Sequence, residues 1–418
     1  MTLPDIDIEI RPDSTFIVSG TAILGSTTYT LGSMLLGPAA AGFVNLTGQV
    51  IQVSIHRGRT RATDSFDSGT ASVTFVDTQG TFNPDNTSSS LYQSGQSWVL
   101  PLRQFRISAT VNGTVYQLFN GYTTRYTYQF QQGFDATWVT IEAEDAFRTL
   151  NMATVTTVTG ATFGEDSGTR IGRILTALAV PTSIRDISTG VTVVADDPDT
   201  TRGGLEAIQQ IEDAELGAYF MDKRGFHTFR NRHELQQLAG GYLATPLVFN
   251  ETTGIPFTSM QIGYDDQQIV NHVTIDGDLL VGSEATDATS IADYFDRSFN
   301  KSGSFLTTDT DADQQAQYLV AARKDPRVTI DSIDFDVRHL MVQDIADAQA
   351  VVDAELLEPV TITKDYASGT IQRTLTIQGI NHEITPSSWQ MTFELAEPVG
   401  GDAMILDYGL LDTNLLGY

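Results

Sequence analysis

Apolar and polar side chains alternate with a period of two in several runs of the chain. Phe105, Ile107, Ala109 and Val111 are separated by Arg106, Ser108 and Thr110, and Val139, Ile141 and Ala143 by Thr140 and Glu142. Such alternation sends one row of side chains into a core and the other into solvent, as a half-buried strand requires. Asn112-Gly113 separates the first run from another, Thr114 to Phe119, and marks a tight hairpin because both residues accept positive φ. Residues 49–150 are therefore expected to form an antiparallel β domain behind a Gly- and Thr-rich N-terminal extension, 1–48.

The period changes after residue 150. Arg170 to Leu178 predicts a short helix stopped before Pro181, and Gly204 to Gly217 a longer one with Leu205, Ile208, Ile211, Ala214 and Ala218 on one face. A hairpin from Ala218 to Arg230, turning at Asp222 to Gly225, follows, so 151–245 reads as a small α+β insertion domain. β character returns in 246–400. Asn271 to Val281 contains an Asp-Gly turn, and Trp389, Met391, Phe393 and Leu395 alternate with Gln390, Thr392 and Glu394. Helices are expected at Asp311 to Arg323, stopped by Asp325-Pro326, and at Asp344 to Leu357, before Pro359. Residues 401–418 are left as a C-terminal tail. The expected fold class is mainly β with an α+β insertion: two β domains, with supporting helices, around a smaller mixed one. No internal repeat is strict enough to name from the sequence.

Composition narrows the function. The 418 residues hold 24 Lys plus Arg against 52 Asp plus Glu, a formal net charge of -28, and no cysteine. Disulfides, thiolate nucleophiles and sulfur-based zinc sites are thereby excluded. Duplex binding rests on cations that displace counterions from phosphates, so a chain this acidic is not expected to hold nucleic acid. The start has neither the basic nor the apolar region of a classical secretion signal, and the longest mostly apolar stretch, Met34 to Val44, is too short and too broken to span a bilayer. No membrane insertion is expected.

The search for catalytic chemistry finds little. No lysine follows a glycine, so a P-loop is absent, and there is no G-x-G-x-x-G between a strand and a helix. His233-Glu234 lacks the second histidine of a zincin. Asp309, Asp311 and Asp313 open like a calcium loop, but Gln314 and Val320 stand where Gly and Glu are needed, so these acids are read as charging a helix N-terminus, with a weak calcium site as the alternative. Acidic pairs such as Asp196-Asp197 are expected by chance among 52 acids. No catalytic, cofactor or metal residue is assigned. The one basic concentration is HRGRTR, where Arg57, Arg59 and Arg61 fall on one face of a strand. These three are the subunit-interface candidates, able to grip carboxylates of a neighbouring subunit. Pairing with the chain's own acids is the alternative.

The surrounding segment, Val53 to Asn86, combines a strand ending in R-G-R-x-R, a G-x-a-x-V stretch with a small, and F-x-P-x-N; the positions are Arg57, Gly58, Arg59, Arg61, Gly69, Thr70, Ala71, Val73, Phe82, Pro84 and Asn86. It resembles the minor tail proteins, or tail-tip (baseplate) hubs, of long-tailed non-contractile bacteriophages, especially those of actinobacteria. Pro101 to Tyr122, Gly204 to Arg232, Tyr264 to Gly277, Ser290 to Phe299 and Gln378 to Pro398 resemble later segments in order. Departures are SSSLYQ at Ser88 to Gln93 and ELLEP at Glu355 to Pro359.

The resemblance implies two tail-tube-like β-barrel or sandwich domains per chain and a homotrimeric hub joining a sixfold tube to a threefold tip. It implies a virion protein at the distal tail tip, assembled in the host cytoplasm, that closes the DNA channel and carries tip or receptor-binding proteins. Its partners would be the distal tail protein, the tape-measure protein and other minor tail proteins, with DNA only in transit past an acidic wall. Neither catalysis nor a cofactor is implied. The alternative is a tail-tip binding module that itself engages a host-surface glycan or protein. Trp98, Trp138 and Trp389 are the aromatic candidates for that role, although the alternation expects Trp138 and Trp389 in the core.

Overall fold

The computed structural model describes residues 5–11, 43–59, 65–93, 95–130, 136–264, 266, 268–366, 369–397, 403–404 and 415–416. A first unit contains strands β1 (Asp5–Ile10), β2 (Val50–Gly58), β3 (Asp67–Asp77), β4 (Gln104–Val111), β5 (Thr114–Phe130) and β6 (Thr137–Glu144). Their order is β2–β3–β6–β5–β4–β1, antiparallel throughout. Asn112 (φ 52°) and Gly113 (φ 80°) form the turn between β4 and β5. The inward rows are the ones the alternation marks, with Phe105, Ile107, Ala109, Val111, Val139 and Ile141 fully buried. β1, from the segment expected as an extension, adds to the outer edge of β4.

The middle of the chain contains α1 (Ser167–Ala177), β7 (Arg185–Ile187), α2 (Gly204–Glu215), β8 (Ala218–Met221) and β9 (His227–Arg230). β8 and β9 form the expected hairpin, and β7 joins β9 in parallel. The carboxylate of Asp222 accepts from the amides of Arg224 (2.9 Å) and Phe226 (2.8 Å), and Gly225 takes a φ of 92°.

A second unit follows, with β10 (Leu247–Asn250) and β11 (Ser259–Gly263). A satellite sheet of β12 (His272–Ile275), β13 (Ser283–Thr286) and β14 (Ser298–Lys301), backed by α3 (Asp309–Arg323), interrupts it. Then come β15 (Thr329–Asp336), α4 (Val337–Gln343), α5 (Ile345–Asp353), β16 (Pro359–Tyr366), β17 (Gly369–Thr385) and β18 (Ser388–Ala396). The order β11–β15–β18–β17–β16–β10 reproduces that of the first unit strand for strand. One difference is that β10 runs parallel to β16, whereas β1 is antiparallel to β4.

The likeness extends to register. β5 and β17 both have 17 residues, and each pairs one neighbour along its first half and another, on the opposite edge, along its second. The changeover is at Tyr122, opposite both Gln104 and Glu144, and at Thr376, opposite both Pro359 and Ala396. A one-residue bulge follows at the same distance in each, at Thr124 and at Gln378. Counting from these landmarks, Thr140 and Glu142 of β6 correspond to Thr392 and Glu394 of β18. The fold is mainly β, as expected, but the two β units are fused edge to edge in one 13-stranded sheet.

Two expectations need correction. Trp389 is buried, but Trp138 is 43 % exposed, because Val139 and Ile141 occupy the inward row and place Trp138 in the outward one. The helix expected to reach Leu357 ends at Asp353. Leu357 sits at φ 68° and donates its amide to the Ile377 carbonyl (2.7 Å), so the chain there belongs to a loop against β17.

Candidate functional site

The seam between the units is an antiparallel ladder of β2 with the second half of β17, in the register Val53↔Ile384, Ser54↔Glu383, Ile55↔His382, His56↔Asn381, Arg57↔Ile380 and Gly58↔Gly379. The Ser54 hydroxyl donates to the Glu383 carboxylate, and His56 shares a hydrogen bond with the Asn381 side chain. Val53, Ile55 and Arg57 form the inward row, so a guanidinium enters the core where alternation would otherwise place an aliphatic group. Gly58 has a φ of 104°, and a Cβ there would lie 2.1 Å from the Gln378 carbonyl oxygen and 2.7 Å from Gly379 Cα. Only glycine brings the two backbones this close.

Arg57 ties three parts of the chain together. Its guanidinium is ion-paired with Glu355, from the loop after α5, and donates to the Met221 carbonyl (3.3 Å) at the end of β8. Glu355 also accepts from the amides of Lys223 (2.9 Å) and Leu356 (2.8 Å), while the Lys223 ammonium bridges to Asp353 (2.7 Å). Burial works to raise the Glu355 carboxyl, but Arg57, Lys223 and these amides outweigh it and hold the group below its usual value. Nearby Asp222 is raised, first by burial and then by the Glu355 charge.

Arg59, just past the strand, donates to the Gln378 side chain (2.8 Å) and lies 4.3 Å over the ring of Phe66, which packs on Phe220 at 5.3 Å. Arg57 is thus ion-paired with an acid of its own chain, and Arg59 is held within the chain by Gln378 and Phe66. Arg61 lies outside the described residues. The partners Glu355, Asp222 and Lys223 were not singled out by sequence reasoning. The available signal was the parity of Arg57, which shares the inward row of Val53 and Ile55.

Of the other motif residues, Gly69 lies at the Arg57 end of β3, and Phe82 and Asn86 lie in the loop beyond its far end. The Gly69 amide donates to Asp145 (2.7 Å), and Ala71 and Val73 belong to the core of β3. Buried Asp77 accepts from the amides of Gln79 (3.1 Å), Thr81 (2.9 Å) and Phe82 (2.9 Å), which folds the following loop back on itself. Phe82 packs 4.7 Å from Phe75, and the Asn86 amide group donates to the Gly80 carbonyl (2.9 Å). These contacts close the loop.

Four fully buried titratable groups make stability depend on pH. Burial pushes Asp145 up to about 7 against the amides of Gly69 and Phe147 and the Ser68 hydroxyl, and pushes Glu212 up to about 7 against the Tyr219 amide. Burial pushes His227 and His382 down to about 3, helped by Arg185 and Arg57 respectively. The raised acids contribute stability that is fully present below about pH 4 and lost as pH rises through about 7. The depressed histidines contribute stability that is present above about pH 6.5 and lost as pH falls towards 3. The expected results are opposite. Relative to the parent chain, Glu212→Gln gains melting temperature as pH is raised from 4 to 8, and His227→Gln gains as pH is lowered from 7 to 4. Parallel melting curves for parent and variant across pH would refute the assignment.

Among the described residues no group of three or more His, Asp or Glu is placed to hold a metal ion, and no helix is long and apolar enough to cross a membrane. Asp309 and Asp311 open α3: the Thr308 hydroxyl caps the Asp311 amide (3.2 Å), and Asp309 accepts from the Val281 amide (2.8 Å). Asp197 is paired with Arg202 (2.7 Å). A pocket of about 380 Å³ lies beside β11, lined by Phe257, Met260, Ile262, Ile371, Lys364 and Glu251 among others.

No family model and no curated protein matches the chain. Solved structures do. The 43 kDa tail protein of prophage MuSo2 from Shewanella oneidensis superposes with a TM-score of 0.55 over 95 % of this chain and 97 % of its own, at 10 % identity. A tail protein from Neisseria meningitidis MC58 gives a TM-score of 0.55 over 94 % and 96 %, at 11 % identity. Neither carries the narrower likeness to actinobacterial phages. At such identity the agreement is one of architecture, and it spans nearly the whole of all three chains: this chain has the fold of these tail proteins.

Proposed function

We propose that the chain is a structural protein of a phage tail, and that three copies form a ring-shaped hub at the distal tip. The observation that carries this reading is the internal duplication. Two units of matching strand order, joined edge to edge, make one chain equivalent to two places in a ring, so three chains present six similar units to a sixfold tube and threefold symmetry to the tip. The full-length likeness to tail proteins supports the setting. The work of such a hub is assembly and closure through protein surfaces, with contacts to distal tail, tape-measure and receptor-binding proteins. With -28 formal charges per copy, three copies around a passage would repel DNA in transit and keep it from adhering.

Native mass spectrometry of the purified chain tests the stoichiometry: the expected mass is three times 45.5 kDa. Gold-labelled antibody on intact particles tests the place, with gold expected at the distal end of the tail. Gold on the head or on lateral fibres would overturn the hub reading.

A further inference from the structure

We propose that the open edge of β11 in one copy pairs with the second half of β5 in the next copy, in an antiparallel ladder whose register is Gln261↔Gln129. The proposal deepens the hub reading and rests on it for the number of copies. The ladder itself is argued from the duplication within the chain. In the intramolecular seam, β2, the edge strand of the first unit, pairs with the long strand of the second, β17, beyond the point where β16 leaves it. The equivalent edge strand of the second unit is β11, and the equivalent long strand of the first unit is β5. Among the described residues β11 pairs only with β15. The edge of β5 left by β4 is last used at Thr123, and among the described residues no strand pairs with it from Thr124 to Phe130.

The register follows from the matched ladders. Ser54 and Gln261 correspond, because they face Ser72 and Ser332, which in turn face Glu142 and Glu394. Glu383 corresponds to Gln129, since both are counted from bulges at matching positions. The seam pair Ser54↔Glu383 therefore becomes Gln261↔Gln129 between copies. The inward pairs Val53↔Ile384 and Ile55↔His382 become Met260↔Phe130 and Ile262↔Tyr128.

Exposure supports this assignment. Ile380, His382 and Ile384, covered by β2, are buried, whereas their counterparts Tyr126 and Tyr128 are half-buried and Phe130 is 77 % exposed. On the other side Val53 and Ile55 are buried, while Met260 is half-buried and Ile262 is 42 % exposed. Open strand edges carrying apolar and aromatic side chains invite pairing with another chain, and no charge or proline blocks β11. Met260 and Ile262 also line the pocket beside β11, so Phe130 of the incoming copy would lie at its mouth. The donor and acceptor edges are different surfaces, so the contact runs head to tail and closes a ring without a free edge.

The chain has no cysteine, which allows a direct test. In the seam Arg59 donates its amide to the Gln378 carbonyl, which makes Ser54↔Glu383 a non-hydrogen-bonded pair. Such pairs have Cα atoms ~4.5 Å apart, within the span of a disulfide. Gln261→Cys with Gln129→Cys, oxidised in solution, is expected to give covalent trimers, and an equal mixture of the two single variants to give covalent dimers. Gln261→Cys with Thr127→Cys, two residues out of register, is expected to give at most about a tenth of that yield. Ile262→Lys is expected to convert the assembly to monomers that keep the parent's circular-dichroism spectrum, since Ile262 is 42 % exposed in a single copy. A trimer that does not cross-link at 261 and 129, or that cross-links better at 261 and 127, overturns the ladder and leaves the hub reading standing. A chain that is monomeric at every concentration and never cross-links overturns both.

Discussion

Replacing Arg57 with alanine is expected to destabilise the folded chain by about 3–5 kcal/mol, measured by urea unfolding. The size follows from what is left behind. Glu355, whose side chain is about four-fifths buried, is left without its ion-pair partner, and the Met221 carbonyl loses a donor, while the Lys223 ammonium and the amides of Lys223 and Leu356 offset only part of the charge. An unpaired ion in a core costs more than the pair itself contributes. Removing both charges while keeping the acceptor for the Lys223 and Leu356 amides, as in Arg57→Met with Glu355→Gln, should therefore recover most of the loss. Arg57→Lys should recover little, since a point charge does not reproduce the fork that reaches Glu355 and Met221 together. A single-variant loss under about 1 kcal/mol would show that water reaches the site and that the lock is not a buried one.

Gly58→Ala is expected to cost about 3 kcal/mol or more, combining the strain of an L-residue in a sparsely populated φ region with a collision against β17. The added methyl would lie 2.1 Å from one backbone atom and 2.7 Å from another, and no rotamer change relieves a backbone contact. The ladder must part at its Gly58↔Gly379 end, so hydrogen exchange of the β2 amides should quicken first. Gly48 is the control: a Cβ there meets nothing within 4 Å, and its replacement should be close to neutral. If Gly58→Ala matches Gly48→Ala in stability and exchange, the close approach at the seam is refuted.

Much of the secondary structure was legible because local rules decide it. The alternation around Phe105 and Trp389, the Asn112-Gly113 turn, and the helices before Pro181 and Pro326 all depend on neighbours a few residues apart. The seam was not legible in this way. A period of two states which face of β2 is buried and says nothing about which strand lies beside it. The duplication was hidden for a related reason: what the two units retain is strand order, bulge position and register, while side chains such as Val139 and Met391 occupy equivalent places with little identity. Arg57 could be read as a surface cation or a core one. Its parity with Val53 and Ile55 favoured the core, but its partner Glu355 stands 298 positions away.

The seam has a further consequence for how the protein is made. Ser54 must wait for Glu383, 329 positions later in the chain. At synthesis rates of ~5–20 residues per second, the seam edge of β2, opposite the one that β3 takes, stays open for roughly 15–65 s after it leaves the ribosome. Neighbouring nascent chains on one messenger then present open β2 and β5 edges at high local concentration. Faster elongation between codons 60 and 385 should raise the soluble yield, and slower elongation should lower it.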